Sequence, residues 1–230
     1  MEEKSRFRHE LKYGIRYGQY LALRQRLQTI MQADAHADAE GRYKIASIYF
    51  DNYKDKALRE KIDGVSKRDK FRIRYYNDDF SRITLEKKQK YDHLCKKEAA
   101  PLTKEECENI LSGNTTWMMQ HADPLIREFY VRLWQELLKP RILVSYIREP
   151  YIYEAGNVRI TFDFDVRTSL FHSLSLKKEI PDISAADSPG TVILEIKYDA
   201  YLPEIISRLL QMGGIRQQAF SKYAVGRKFG

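Results

Sequence analysis

Cysteine is scarce in this chain, and that removes two classes of protein at once. Two cysteines in 230 residues cannot build a disulfide framework. Cys95 and Cys107 stand in a Lys/Glu-rich stretch with no CxxC spacing and no histidine nearby at ligand spacing. The five histidines are scattered singly, so a zinc site is not expected. No run approaches the roughly eighteen apolar residues that cross a bilayer. The opening Met1-Glu2-Glu3-Lys4-Ser5-Arg6 lacks the apolar stretch of a secretory leader, and a reducing, cytoplasmic setting is the expectation. There is no Gly/Ser/Pro-rich linker and no internal repeat, so one domain over residues 1–230 is the simplest count.

Charge is plentiful. Forty Lys and Arg against 32 Asp and Glu give a formal +8, while 43% hydrophobic residues are enough for a sizeable core. A basic surplus points to a polyanionic partner: nucleic acid, an anionic membrane or a phosphorylated small molecule. The total does not choose among them; the placement of the charges does.

Hydrophobic spacing predicts an α+β chain of mostly antiparallel strands interrupted by helices. Strands are expected near 6–13, 43–51, 69–77, 81–91, 141–153, 157–168 and 191–198. Leu21, Leu23, Leu27 and Ile30 mark a helix over about 17–32. A helical insert over about 103–138 begins at Thr103-Lys104-Glu105-Glu106, a capping-box pattern, and continues through the stripe Leu125, Phe129, Leu133 and Leu137. Pro203 opens a last helix, and Gly213-Gly214 is read as its stop.

The strands carry charge on alternate residues. Arg8, Glu10 and Lys12 share one face, as do Lys70, Arg72 and Arg74; Glu86, Lys88 and Lys90; Arg159, Asp163 and Arg167; and Glu195 and Lys197. An antiparallel sheet with one face in water produces such a pattern. So does a sheet closed on itself, with the charged face inside and the apolar face under the helices. Arginines two residues apart repel unless an anion or carboxylate lies between them, and guanidinium forks suit phosphate oxygens. Pattern alone leaves both arrangements open.

Five segments, in order, resemble one family: Arg8-His9-Glu10-Leu11-Lys12-Tyr13, Lys70-Phe71-Arg72-Ile73-Arg74-Tyr75-Tyr76, Leu85-Glu86-Lys87-Lys88, Leu194-Glu195-Ile196-Lys197-Tyr198 and Phe220-Ser221-Lys222-Tyr223. Together they are similar to the VTC domain, the polyphosphate polymerase branch of the triphosphate tunnel metalloenzymes, related to the CYTH phosphatases. The likeness spans nearly the whole chain. Each motif alone is weak; the ordered set is specific.

The resemblance implies an antiparallel β-barrel, a tunnel with a charged lumen, that binds ATP, triphosphate or polyphosphate with a divalent metal, Mn²⁺ or Mg²⁺. Arg72, Arg74, Lys88, Arg148 and Lys222 are the implied catalytic residues. Arg8, Lys12, Lys90, Lys197 and Ser221 join them in holding phosphate, and Glu195 and Glu10 are the implied metal ligands. Related phosphatases often carry ExE where this chain has Glu10-x-Lys12 and Glu195-x-Lys197, which argues against a two-carboxylate hydrolytic site. No general base is visible, and an ionised polyphosphate terminus needs none.

The resemblance thus implies transfer of the ATP γ-phosphate to a polyphosphate chain. Hydrolysis of inorganic, nucleotide or RNA 5′-triphosphate is the runner-up, and a non-catalytic polyanion-binding domain is the third reading. Nucleic acid is not favoured. Coupling of synthesis to translocation requires a membrane partner protein. Most of the 16 tyrosines are read as core and barrel-covering residues opposite the charged faces, His9 as structural, and Trp117 and Trp134 as packing.

Overall fold

The computed structural model describes residues 7–92, 94–169, 176, 181–185, 190–211, 214, 217 and 220–227. In chain order the elements are β1 (Arg8–Arg16), α1 (Tyr17–Leu27), β2 (Gln32–Ala33), β3 (Tyr43–Asp51), α2 (Lys56–Ile62), β4 (Lys67–Tyr76), β5 (Asp79–Tyr91) and β6 (Leu94–Leu102). Then come α3 (Lys104–Ser112), α4 (Pro124–Gln135), β7 (Lys139–Tyr153), β8 (Val158–Ser169), β9 (Asp182–Ser184), β10 (Thr191–Tyr198), α5 (Glu204–Leu209) and α6 (Lys222–Gly226). Short 3₁₀ turns lie at Thr116–Gln120 and Ala155–Asn157. Gly213 lies outside the described residues, and α5 already ends at Leu209.

Among the described residues ten strands join one antiparallel sheet in the order β2-β7-β3-β4-β5-β6-β1-β10-β8-β9, and a β7–β8 pairing closes eight of them into a ring. The seam is short: β6 and β1 share only the pairs Arg8↔Cys95 and His9↔Leu94, against nine pairs between β5 and β6. The antiparallel, ring-like arrangement expected from sequence is present, and it is closed at one weak place.

Two apolar cores cover the outside of the ring. Under α3 and α4, Ile73, Leu85, Phe71 and Ile48 pack with Ile110, Ile126 and Phe129. Thr103 caps α3 with the reciprocal Glu106 bonds of a capping box, and Asp123 caps α4, with Pro124 in its first turn. Under α1 and α5, Ile160, Phe162, Leu194 and Ile196 meet Tyr20, Leu23, Leu27 and Ile206. The helix expected over 17–32 stops at Leu27, because Gln32–Ala33 pairs with β7 as strand, and Leu21 faces solvent. Trp117 packs on the first core, but Trp134 is exposed, contrary to its reading as a packing residue.

The inside of the ring is not charged throughout. A third core of Tyr49, Val144, Tyr146, Ile193, Tyr223 and Val225 fills part of it around α6. The helix can enter because Gly226 has no side chain: a Cβ there would lie 3.0 Å from Ile142 Cδ1 and 3.1 Å from both Thr168 Oγ1 and Val144 Cγ2. Charged residues share the lumen with an apolar plug.

Candidate active site

A cavity of about 990 Å³ opens inside the ring. Its lining holds eleven Lys and Arg but four Asp and Glu, with Glu86 and Asp163 buried against the cations, so the surface is strongly basic. Strand register explains the placement. Arg72 faces Glu86 across β4–β5 and Tyr49 across β3–β4. Lys12 stands opposite Glu195, and Glu10 opposite Lys197, across β1–β10. Period-two alternation then turns each of these side chains to the ring's interior.

Three ion-pair groups organise the wall. In the first, Glu86 Oε2 accepts from Arg72 Nε at 2.8 Å and Nη2 at 2.6 Å, and Arg74 Nη1 lies 3.6 Å from the same oxygen. Burial pushes the Glu86 carboxyl up, but Arg74 and Arg72 outweigh it and hold it well below the usual range. Arg74 also donates to Ser47 Oγ at 3.3 Å and Tyr146 Oη at 3.4 Å.

In the second group, Arg148 binds Asp163 through Nε at 2.6 Å and Nη2 at 2.8 Å, and Lys222 donates to the same carboxylate. Both cations also lie over the Tyr146 ring, Lys222 at 4.3 Å and Arg148 at 5.3 Å from its centroid. Asp163 is fully buried and held by these two cations.

The third group joins Glu10 and Glu195 through lysines. Lys88 Nζ donates to both Glu10 oxygens at 2.6 and 2.9 Å. Lys12 Nζ lies between the two carboxylates, 3.1 Å from Glu195 and 3.7 Å from Glu10. Lys197 reaches Glu195 at 2.5 Å. Burial opposes the Glu195 charge, yet Lys12, Lys197, Arg148 and Lys222 hold its pKa well below the ordinary one. For Lys12, burial is overcome by Glu10 and Glu195, and the ammonium is strengthened.

The donor set can be tested against a divalent metal. Among the described residues no cluster of three or more His, Cys, Asp or Glu forms an all-protein cage. Glu10 and Glu195 are two hard oxygen donors close enough to repel one another. Mg²⁺-type ions bind through one or two carboxylates, completed by phosphate oxygens and water. The two glutamates fit an ion that arrives with phosphate.

Of the residues singled out from sequence, Lys12, Arg72, Arg74, Lys88, Lys90, Arg148, Lys197, Ser221, Lys222, Glu10 and Glu195 line this one cavity. Arg8 does not: its Nε sits 2.8 Å from Asp199 and it donates to the Asn157 carbonyl, away from the lining. Ser221 Oγ is also the N-cap of α6, accepting from Ala224 N at 3.3 Å. Sequence reading missed Lys61 and Arg68 in the lining, put Lys70 on the charged face without naming it as a site residue, and placed most tyrosines opposite the charged faces. Tyr49 and Tyr146 instead line the cavity among the cations.

The chain belongs to the VTC domain family, whose model matches residues 7–229. Among solved structures it is similar to a putative adenylyl cyclase from Hippeastrum described as having a dominant triphosphatase activity. Identity there is 12%, the TM-score is 0.54, and 96% of this chain and 95% of that one are covered. It is also similar to a putative adenylate cyclase from Bacillus halodurans, with 13% identity, a TM-score of 0.48 and 84% and 81% covered. Comparison with curated proteins finds no match. The Hippeastrum likeness shows a common fold. Among the described residues, no helix is long and apolar enough to cross a membrane.

Proposed function

We propose that this protein transfers the γ-phosphate of ATP to a growing polyphosphate chain. The observation that carries the reading is the concentration of cations on one wall, eleven against the four carboxylates that line the cavity and the buried Glu86 and Asp163, an arrangement matched to a chain of phosphates and not to an isolated anion. Phosphoryl transfer asks a protein mainly for positioning and charge stabilisation. Arg72 and Arg74, fixed by Glu86, and Arg148 and Lys222, fixed by Asp163, hold the phosphates in line. Lys12, Lys88 and Lys197 release Glu10 and Glu195 as phosphate oxygens replace the carboxylates around their ammonium groups. The two glutamates would hold Mn²⁺ or Mg²⁺, which supplies charge neutralisation at the phosphate oxygens. An ionised phosphate terminus serves as acceptor without a general base.

A second reading, hydrolysis of a triphosphate, draws on the activity described for the Hippeastrum protein. Against it, lysines stand at positions 12 and 197, where a second carboxylate would complete a hydrolytic pair. Incubation of the purified protein with ATP and Mn²⁺ or Mg²⁺, followed by gel analysis, separates the readings. A ladder of polyphosphate is expected. Orthophosphate alone would establish the hydrolase, and no turnover with retained triphosphate affinity would leave a binding domain.

A further inference from the structure

Lys70 differs from four of the six other lysines in the cavity lining, while Lys61 and Lys90, like it, make no ion pair with any described residue. Lys12, Lys88, Lys197 and Lys222 each touch a carboxylate; Lys70 makes no ion pair with any described residue. The groups facing it are Lys88 of β5, Arg72 of its own strand, Lys12 of β1 and Tyr49 of β3, with the Tyr49 ring 5.4 Å from its ammonium. Tyr49 is equally short of acidic neighbours. Its hydroxyl accepts from Arg72 Nη1 at 3.1 Å, and Lys70 and Arg74 of β4 face it. Across β3–β7 it stands opposite apolar Ile142. From α6, Tyr223 stacks on it at 5.3 Å but directs its own hydroxyl to Asp51.

We propose that Lys70 and Tyr49 form a further phosphate-binding pair, in which a phosphate oxygen supplies the anion Lys70 lacks and the pair takes up protons as that oxygen arrives. The inference rests on the phosphate reading of the cavity and adds to it a proton-coupled contact. Burial, with Lys88, Arg72 and Lys12, outweighs the pull of Tyr49 and brings Lys70 down to about 7. Burial alone would raise the Tyr49 phenol; Arg72, Lys70 and Arg74 overcome it and bring the phenol to about 7 as well. Near neutral pH the ligand-free pair is therefore short of its full proton complement. A phosphate oxyanion beside it favours the ammonium and disfavours the phenolate. Both changes draw a proton from solution, so affinity falls as pH rises above neutrality.

Calorimetric titration of inorganic triphosphate into the full chain at pH 8, in two buffers of different ionisation heat, counts the protons exchanged. The wild type is expected to take up more protons per triphosphate than Tyr49→Phe or Lys70→Met, because the ligand's own proton exchange is common to all three. Lys70→Met should also bind roughly tenfold more weakly, the loss of one charge-assisted bond. In ligand-free wild type, the near-ultraviolet phenolate band should titrate one tyrosine near pH 7, absent in Tyr49→Phe and suppressed by triphosphate. That titration decides the matter if Lys70→Met does not fold. Triphosphate binding with equal proton counts in wild type and Tyr49→Phe would overturn the pair alone. No triphosphate binding by the wild type would overturn the phosphate reading, and the pair with it.

Discussion

Glu86 sets the geometry of the two arginines on β4. Its buried carboxylate takes two bonds from Arg72, lies within reach of Arg74 and accepts from Lys97 at 3.4 Å. Replacing it with glutamine leaves two nearly buried guanidiniums without their counter-charge, a loss worth about 3–5 kcal/mol when one partner of a buried pair is removed. Glu86→Gln is expected to unfold at markedly lower temperature than wild type, and triphosphate should raise its midpoint more than it raises the wild type's, since the anion then replaces the carboxylate. Equal unfolding temperatures by calorimetry would contradict this role. Arg72, Arg74 and Glu86 were legible in the sequence because they alternate with Phe71, Ile73 and Leu85. Tyr49 and Tyr146 were not. They stand in the apolar runs Ile48-Tyr49-Phe50 and Tyr146-Ile147, where no polar alternation assigns a face, and a phenol is at home in either core or lumen.

Among the elements, strands that alternate or that run apolar were readable, and β6, which does neither, was missed. The strand at 43–51 was placed to the residue, whereas β6, Leu94-Cys95-Lys96-Lys97-Glu98-Ala99-Ala100-Pro101-Leu102, has no apolar period to betray it. Its nine pairs with β5 supply what its own sequence lacks. The helix α6 was missed for a different reason: five residues are too few to show a period, and its place inside the ring is set by tertiary contact. That contact predicts a contrast between two variants. Gly226→Val drives side-chain atoms into Ile142, Val144 and Thr168, costing about 1–3 kcal/mol of overpacking and displacing Lys222 at the other end of the same helix. Thr103→Ala removes the cap of α3 on the outside, costing about 1 kcal/mol. Denaturant midpoints should fall in both, but triphosphate affinity by calorimetry should fall only in Gly226→Val. Equal affinities would separate α6 packing from the site.

For the whole molecule, eleven Lys and Arg line the cavity inside the ring, and that gives stability an unusual pH profile. On the acid side, Glu10, Glu86, Glu149, Asp163 and Glu195 all have folded pKa values below their ordinary ones: burial opposes their charge, and neighbouring donors and cations outweigh it. Groups of this sign contribute stability above the unfolded carboxyl range, about 4, and lose it as pH falls through their folded values. On the other side, Lys70 at about 7 and Lys197 at about 8 lie below the ordinary lysine value, burial being the first cause in both, and Tyr49 at about 7 lies below the ordinary phenol. Between those values and about 10 the unfolded chain binds more protons than the folded one, so stability rises with pH. Burial pushes the Cys107 thiol up to about 12, which works in the opposite direction above the ordinary thiol range, about 8.5, and sets the top of the window. The ligand-free protein should therefore melt higher at pH 8.5 than at pH 6.5, by on the order of 2–4 °C for each kcal/mol gained. Saturating triphosphate should reverse the slope, because the bound anion restores the lysines' protons and is held less tightly as they leave. Differential scanning calorimetry across that range, with and without triphosphate, measures both slopes. A flat or falling profile in the ligand-free protein would mean that the cations are solvated on the outside and that the ring does not enclose them.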